Sequence, residues 1–216
     1  LAALDRAIAI DVWLQMTLVA ILDRSRRLDR PWQALAWMDY GGWAGPHLQA
    51  QGFEPLADVI TLLKRDRRLP HLRGADVDLS PPSRADVAAV VAVDRAAFTP
   101  PWWHGEAWMR RRVAQADYFA VARLAGEIVG YAEGELRDPT AHLNRIAVSP
   151  AHQGRGIGAA LLRDALRAFW RQGASRVALN TQSHNRPSRR LYRRFGFTET
   201  GDRMTAWRIG LKNDGP

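Results

Sequence analysis

A glycine-rich segment is the part of this sequence whose residue types and spacing point most directly to chemistry. Gln153-Gly154-Arg155-Gly156-Ile157-Gly158 follows the extended apolar stretch Leu143–Val148 and precedes the helical stretch Ala159–Arg171. A strand that turns through glycines into a helix gathers free backbone N–H groups at the positive end of the helix dipole. Glycines also let a ligand approach the backbone closely. The segment therefore predicts a binding site for a phosphate group.

Two widespread phosphate-binding motifs do not account for this segment. A Walker loop requires Gly-Lys-Ser/Thr, which does not follow Gly156. A dinucleotide fingerprint requires the spacing G-x-G-x-x-G, of which Gly154, Gly156 and Gly158 supply only the first half, and residues 175–180 lack the acidic residue that would bind a ribose. Taken alone, the glycines are equally compatible with a tight turn that binds nothing.

The flanking residues resemble a known family. The glycine segment resembles the acyl-CoA-binding motif of the GCN5-related N-acetyltransferases, Gln/Arg-x-x-Gly-x-Gly/Ala, at Gln153, Gly156 and Gly158. Residues 185–197, which read Asn-Arg-Pro-Ser-Arg-Arg-Leu-Tyr-Arg-Arg-Phe-Gly-Phe, resemble that family's Asn-x-x-Ser/Ala-x-x-Leu-Tyr-x-x-x-Gly-Phe segment. Both motifs occur in the family's order, and the resemblance covers about residues 76–211, with the ribosomal-protein-alanine N-acetyltransferases as a similar branch.

The resemblance implies acetyl-CoA as the co-substrate. Backbone N–H groups of the glycine segment would hold its diphosphate, and the preceding strand would pair with its pantetheine arm. Backbone groups of Ile146 or Ala147 would donate to the thioester carbonyl. The implied coenzyme-binding positions are Ile146, Ala147, Val148, Gln153, Gly154, Arg155, Gly156, Ile157, Gly158, Ala159, Asn185, Ser188 and Tyr192.

Acetyl transfer to an amine also needs an acid that protonates the departing thiolate. Tyr192 is the candidate, because a tyrosine keeps its proton at neutral pH. The alternative is a core tyrosine whose hydroxyl binds a backbone group. Asn185, at the start of the same motif, is equally suited to cap a helix.

The base that deprotonates the amine is less clearly marked. The similar branch carries a glutamate on the strand after the glycine-segment helix, but that position here is Asn180, which cannot accept a proton. Glu133 and Glu135 lie two residues apart on a predicted strand and therefore share one face. They are the candidate bases, with a solvated surface position as the alternative, and His142 is a further option.

Aromatic residues mark a region that borders the acceptor in the resembled fold. Phe98, Trp102 and Trp103 are the candidate substrate-binding residues, joined by Trp108 in the next helix. Their rings could line a pocket for an apolar or cationic amine, or pack into the core. The spacing His-x-x-x-His does not occur, so we expect no catalytic metal.

Composition and net charge limit the chemistry, the compartment and the partners that this sequence can have. The 216 residues contain no cysteine, which excludes disulfides and thiol nucleophiles and fits a cytoplasmic protein. The net charge of +9 comes mainly from arginine and could attract the phosphates of coenzyme A, although a solvated basic surface explains most of it. We expect no nucleic-acid partner, because the usual nucleic-acid-binding modules are absent from the sequence. We expect no membrane span, because the apolar run 12–22 is too short to cross a bilayer. A homodimer is possible.

The order of predicted elements gives the fold class. Residues 76–211 read as β-α-α-β-β-β-α-β-α-β, which favours an α/β (α+β) fold with a mixed central β-sheet and helices on both faces. This is the order that the resemblance implies. The last strand is predicted at 204–211, and Ser83 with Asp86 predicts a capping box at the first helix.

The first part of the chain shows signs of an internal repeat. A helix is predicted over 2–28, followed by a strand at 32–38, a short helix at 46–51 and a strand at 56–64. Gly52-Phe53 corresponds to Gly196-Phe197, and Leu48 stands where Tyr192 stands in the later copy. We interpret residues 1–69 as a degenerate, smaller N-terminal α/β half-module, 70–75 as a linker and 76–212 as the catalytic domain. An unrelated helical extension is the alternative.

These features favour an acetyl-CoA-dependent N-acetyltransferase. The acetyl group would move directly, in a ternary complex, to a primary amine of a small molecule or of a peptide or protein. The alternative is a non-catalytic module that binds or senses acetyl-CoA or contacts another protein. The former predicts acceptor turnover, and the latter predicts coenzyme binding without it.

Overall fold

The protein is described by a computed structural model, which covers residues 16–17, 20–21, 34–71 and 75–210. The described residues fall into two compact units. The first unit contains residues 16–17, 20–21, 34–60, 182–184 and 202–210, and the second contains residues 61–71, 75–181 and 185–201. The domain boundaries expected from the sequence stay a prediction.

From residue 34 onwards, the first unit contains a strand, a short helix and a second strand. These are β1 (Ala34–Tyr40), α1 (Gly45–Ala50) and the first part of β2 (Glu54–Lys64). A small core forms where Leu48 and Phe53 pack with Trp37 and Trp207, because β1 pairs antiparallel with the end of the last strand. The predicted strand–helix–strand order is confirmed. The predicted helix over 2–28 lies outside the described residues, apart from 16–17 and 20–21, which are helical.

Residues 76–210 have the predicted order of elements, and most of these elements lie in the second unit. They are β3 (Asp78–Ser80), α2 (Val87–Ala97), α3 (Glu106–Gln115), β4 (Tyr118–Leu124), β5 (Glu127–Arg137), β6 (Thr140–Val148), α4 (Ile157–Arg171), β7 (Arg176–Gln182), α5 (Arg186–Arg194) and β8 (Thr198–Gly210). Short 3₁₀ turns at Arg84–Asp86 and Pro150–His152 precede α2 and α4. The predicted capping box is present, with Ser83 N–H donating to Asp86 Oδ2 at 2.7 Å.

One strand boundary differs from the prediction. β8 begins at Thr198 rather than Met204, although Gly201-Asp202 resembles a turn. Its polar first residues are held at the end of β2, where Thr198 Oγ1 donates to the carbonyl of Leu63 at 3.3 Å. Tertiary pairing therefore overrides the local turn signal.

The sheet of the second unit contains antiparallel and parallel pairs. β4 pairs antiparallel with β3 and β5, β5 pairs antiparallel with β6, and β6 pairs parallel with β7. Glu133 lies opposite Arg145 but Gly134 lies opposite Leu143, so Asn144 forms a bulge in β6. The parallel pairing stops at Leu143, and residues 145–148, beyond the bulge, pair with β5 alone. The end of β6 therefore has an open edge on its β7 side.

Helices cover both faces of this sheet. On one face, α2 contributes Val87 and Val90 to a core that includes Tyr131 of β5. On the other face, α4 brings Leu161 and Phe169 against β5 at its glycines. Tyr131 and Gly130 are adjacent in β5, and adjacent strand residues point to opposite faces of the sheet. The helices that pack against them, α2 and α4, therefore lie on opposite sides of the sheet. The predicted mixed sheet with helices on both faces is confirmed.

Two features are absent from residues 16–17, 20–21, 34–71 and 75–210. No helix there is both long enough and apolar enough to cross a membrane. No group of three or more His, Cys, Asp or Glu side chains there could hold a metal ion.

Candidate functional site

The glycine segment adopts the geometry that an anion site needs. Gly154 and Gly156 have φ of +77° and +81°, in the left-handed region that favours glycine. Gly156 is the N-cap of α4, and no side chain caps the helix. The first helical turn closes when Ala160 N–H donates to the Gly156 carbonyl at 3.0 Å. The amides of residues 157–159 therefore lack intrahelical partners and face the end of the segment.

Gln153 ties the segment to the preceding strand. Its Nε2 donates to the carbonyl of Val148 at 3.0 Å, and its backbone N–H donates to the Pro150 carbonyl at 3.3 Å. The Gln153 side chain therefore helps to fix the conformation of the loop. Arg155, two residues later, is exposed and presents its charge to solvent.

The end of β6 lies beside this segment. Ala147 is buried on the α2 face of the sheet, whereas Val148 lies on the α4 face, near Gly158. Ile146 shares the face of Val148 because it lies two residues away. The open edge described above therefore runs alongside the mouth of α4. An extended ligand with a phosphate at one end fits this combination.

The second sequence motif forms α5, and its residues meet the glycine segment. Asn185 is the N-cap of α5, where its side chain accepts a hydrogen bond from Ser188 N–H at 3.2 Å. Leu191 Cδ2 lies 3.6 Å from the position that a Cβ on Gly158 would occupy. Tyr192, next in the chain, is 4% exposed. The tertiary fold therefore brings β6, the mouth of α4 and α5 together.

Tyr192 retains its proton in this setting. Burial raises the pKa of its hydroxyl well above the usual value of 10, and a hydrogen bond with the Ser188 side chain opposes that shift only in part. Its ring packs against Phe197 with centroids 5.9 Å apart. Tyr192 is thus both a packed residue and a neutral donor.

The two candidate carboxylates occupy different environments. Glu133 is fully buried, and its Oε2 accepts hydrogen bonds from Arg112 Nε at 2.9 Å and Nη2 at 2.5 Å. Its Oε1 is buried without a hydrogen-bond partner among the described residues. Burial raises the pKa of Glu133, against the opposing effect of Arg112. The alternative of a solvated surface position is therefore wrong for Glu133.

Glu135 lies on the same face but closer to solvent. Its side chain is 26% exposed and forms an ion pair with Arg137 at 2.6 Å. It lies 4.0 Å from Arg112 Nη1, so one arginine contacts both glutamates. His142 lies opposite Glu135 in the strand register, and burial lowers the pKa of its imidazole.

Arginine guanidinium groups lie over the rings of two of the candidate aromatic residues, Phe98 and Trp103. The guanidinium of Arg145 lies 3.8 Å from the ring centroid of Phe98, and that of Arg95 lies 4.5 Å from Trp103. Trp102 instead contributes its backbone carbonyl, which accepts a hydrogen bond from Arg145 Nη2. A cationic amine would therefore compete with protein guanidinium groups for the rings of Phe98 and Trp103.

A buried polar cluster was not predicted from the sequence. Asp94 of α2 is fully buried and binds Arg145 Nε at 2.8 Å, the Tyr131 hydroxyl and the His104 N–H. Arg112, the partner of Glu133, was also missed. A signal for Asp94 exists, because it continues the apolar positions 87, 90 and 91 at helical spacing. A charge at such a position requires a buried partner.

Comparisons with known proteins agree with this geometry. The model of the acetyltransferase (GNAT) family matches residues 88–197. The spore coat polysaccharide biosynthesis protein SpsD of Bacillus subtilis is 30% identical over 135 residues, which are 56% of this chain and 47% of that protein. The N-alpha-acetyltransferase RimI of Mycobacterium tuberculosis is 35% identical over 111 residues, 50% of this chain and 68% of the relative. The chain thus spans about half of one relative and two thirds of the other.

A solved structure has a similar fold. The GCN5-related N-acetyltransferase from Sphaerobacter thermophilus superposes with a TM-score of 0.70 at 21% identity, covering 94% of this chain and 68% of its own. The family model spans half of the present sequence and includes both motifs. The family predicted from those motifs is confirmed: this chain belongs to the acetyltransferase (GNAT) family.

Proposed function

We propose that this protein is an acetyl-CoA-dependent N-acetyltransferase that acts on a primary amine of a small molecule or of a peptide or protein. The observation that carries the proposal is the open edge of β6 beside the uncapped mouth of α4, where Leu191 of α5, the neighbour of Tyr192 in the chain, packs near Gly158. Direct transfer in a ternary complex is the mechanism that this arrangement favours, since the residues around it include no cysteine to carry the acetyl group.

The residues at the mouth of α4 fit acetyl-CoA. Uncapped amides and a left-handed glycine suit its diphosphate, and the open strand edge suits its extended pantetheine arm. Bound acetyl-CoA would supply an activated acetyl thioester and a thiolate leaving group. Backbone groups of Ile146 or Ala147 would polarise the thioester carbonyl. Asn185 and Ser188 would orient the start of α5 beside the coenzyme.

Tyr192 would act as the general acid. Its hydroxyl is protonated at neutral pH because burial disfavours the phenolate. It would donate that proton to the departing thiolate sulfur. The buried setting also excludes water, so the proton would have a defined donor.

Glu133 would act as the general base. Arg112 holds its Oε2, and Oε1, which is buried without a partner within the described chain, would accept a proton from the amine. Its raised pKa makes it a better proton acceptor than an exposed glutamate. Glu135 is the second candidate, although its ion pair with Arg137 holds it nearer to solvent.

The names of the relatives suggest which amines to test first as acceptors. The M. tuberculosis relative is named an N-alpha-acetyltransferase, so α-amines of short peptides belong first in a panel of acceptors. The aromatic segment with Phe98, Trp102 and Trp103 is the proposed acceptor-binding region. Small-molecule amines form the second group of the panel.

Coenzyme binding and turnover test the proposal separately. Calorimetry with acetyl-CoA and with free CoA should show binding to both, and thiol release should appear with at least one amine. Absence of coenzyme binding would overturn the proposal. Coenzyme binding without turnover of any amine would favour the alternative, a non-catalytic module that binds or senses acetyl-CoA.

We further propose that residues 1–69 are a degenerate copy of the C-terminal half of the domain. The ends of α1 and α5 support this. Phe53 N–H donates to the Leu48 carbonyl at 3.0 Å, as Phe197 N–H donates to the Tyr192 carbonyl at 3.0 Å. Each helix is followed by a glycine of positive φ. The buried Leu48 stands in place of the proposed acid, so this copy would not be catalytic.

The Leu48→Ala variant tests that assignment. Loss of this buried side chain should destabilise the protein by about 2–5 kcal/mol. The affinity of the folded protein for acetyl-CoA should stay the same. A fall in that affinity would show that Leu48 supports the coenzyme site and would contradict a non-catalytic role.

A further inference from the structure

The segment 98–104, between α2 and α3, depends on side-chain contacts for its conformation. It lies outside the helices and strands, and its one backbone turn joins Trp102 N–H to the Thr99 carbonyl at 2.8 Å. A segment of this kind can adopt several conformations unless other groups hold it. The groups that hold it therefore decide where its aromatic side chains lie.

One buried ion pair contacts this segment at three points. The guanidinium of Arg145 covers the Phe98 ring at 3.8 Å and donates to the Trp102 carbonyl. Its partner Asp94 accepts the His104 N–H through Oδ2 at 2.6 Å. The ion pair thus binds the beginning, the middle and the end of the segment.

The ion pair is itself fixed by its surroundings. The side chains of Arg145 and Asp94 are 10% and 0% exposed, and the Tyr131 hydroxyl contacts both. Charged hydrogen bonds shielded from water are stronger than exposed ones. Arg145 therefore has little freedom to leave the segment.

Arg145 also belongs to the strand that would bind the coenzyme. It precedes Ile146 on β6, at the bulge where β6 separates from β7. One side chain of the coenzyme strand thus reaches across to the segment that would bind the acceptor. A planar guanidinium can bind Asp94, cover a ring and donate to a carbonyl at once, whereas an ammonium group cannot.

We propose that Arg145 is a positioning residue that holds segment 98–104 against β6 and thereby sets the affinity for the acceptor amine. This inference rests on the proposed N-acetyltransferase function. It adds a specificity-determining residue that touches neither reacting atom. Arg145 would act through the segment and leave coenzyme binding unchanged.

The Arg145→Lys variant tests this role, because it keeps the charge and removes the planar fork. The matched control is Arg123→Lys, which alters a partly buried ion pair with Asp86 at 2.9 Å, away from the segment. Arg145→Lys should raise the acceptor KM about tenfold and speed hydrogen exchange in peptides covering 98–104 by a similar factor. The kcat and the acetyl-CoA Kd should stay the same, and Arg123→Lys should change none of these quantities.

Several outcomes would overturn the inference. Unchanged exchange in 98–104 would show that Arg145 does not hold the segment. A changed acetyl-CoA Kd with an unchanged acceptor KM would show that Arg145 acts on coenzyme binding. Failure of the Arg145→Lys variant to fold would show that Arg145 serves only the stability of the core. If the unaltered protein acetylates no amine, the proposed function fails, whereas the exchange comparison still tests the placement of the segment.

Discussion

Arg112 donates two hydrogen bonds to a single oxygen of Glu133, from Nε at 2.9 Å and from Nη2 at 2.5 Å. The other oxygen of this carboxylate is buried and has no hydrogen-bond partner in the described chain. An arginine partner alone would lower the pKa of a glutamate. Here burial has the larger effect and raises it above 4.5. The pair therefore combines a fixed carboxylate with an increased affinity for a proton.

The Glu133→Gln variant should lose turnover while retaining acetyl-CoA affinity. Removal of a general base typically slows a reaction by about a hundredfold or more. In the unaltered protein, kcat/KM should rise with pH through the raised pKa of Glu133, since the base acts only when ionised. That acidic limb should be absent from the variant. Glu135→Gln is the control, and equal losses in both variants would contradict the assignment to Glu133.

The same carboxylate should make stability depend on pH. The folded protein holds the Glu133 proton more tightly than the unfolded chain does, because the folded-state pKa is raised. This contribution to the free energy of unfolding is complete below about pH 4.5 and is lost as pH rises through the raised pKa. Urea unfolding at a series of pH values should therefore show a shallower pH dependence for Glu133→Gln. A steeper pH dependence in the variant would indicate that Arg112 lowers the pKa of Glu133 more than burial raises it.

The Tyr192→Phe variant tests the proposed acid. The kcat should fall by about a hundredfold, since the thiolate would lose its proton donor. The acetyl-CoA Kd should change little, and loss of the hydrogen bond with Ser188 should cost about 1 kcal/mol of stability. Assays of thiol release measure kcat, calorimetry measures the acetyl-CoA Kd, and urea unfolding measures the stability.

Tyr118→Phe is the matched control for that experiment. Tyr118 is also a buried tyrosine, with its hydroxyl 2.9 Å from Asp164 Oδ2, and burial raises its pKa well above the usual value. Its loss should reduce stability but not kcat. If Tyr192→Phe keeps full turnover, Tyr192 has only a packing role.

The Gly156→Ala variant tests the anion site at α4. An alanine in the left-handed region costs roughly 1–2 kcal/mol, so the loop should rearrange and acetyl-CoA affinity should fall. Gly173→Ala is the control, because Gly173 has a φ of +97° beyond the opposite end of α4. Both variants should lose similar thermal stability, but only Gly156→Ala should lose coenzyme affinity in calorimetry. Equal affinities would separate Gly156 from the coenzyme site.

His104 should remain neutral through the physiological range. Burial lowers its pKa from 6.5 to about 4, and the neighbouring Arg145 adds to that shift. Because the unfolded chain binds this proton more readily, the contribution of His104 to stability is present above pH 6.5 and is lost as pH falls towards 4. A proton NMR titration should place its midpoint near pH 4. A midpoint near 6.5 would show that the ring is solvated.

Local residue patterns were sufficient to predict the order of elements and the family. The glycine segment, the Ser83–Asp86 capping box and the Asn185 cap each depend on residues within a few positions of one another. Their geometry follows from turn and cap preferences that any chain obeys. For this reason the mouth of α4 and the start of α5 could be predicted from the sequence.

The partners of the buried charges were decided by the tertiary structure alone. Arg112 and Glu133 are 21 residues apart, and Arg145 and Asp94 are 51 apart. Each pair forms because a particular helix packs over a particular strand, and no local pattern encodes that choice. The sequence therefore determined that this chain has a glycine-rich loop resembling an acyl-CoA-binding motif, whereas only the packing of α2 and α3 on the sheet decided that Glu133 is buried and that Arg145 contacts the segment 98–104. The reason is physical: a charge leaves water only where the folded chain brings it a partner.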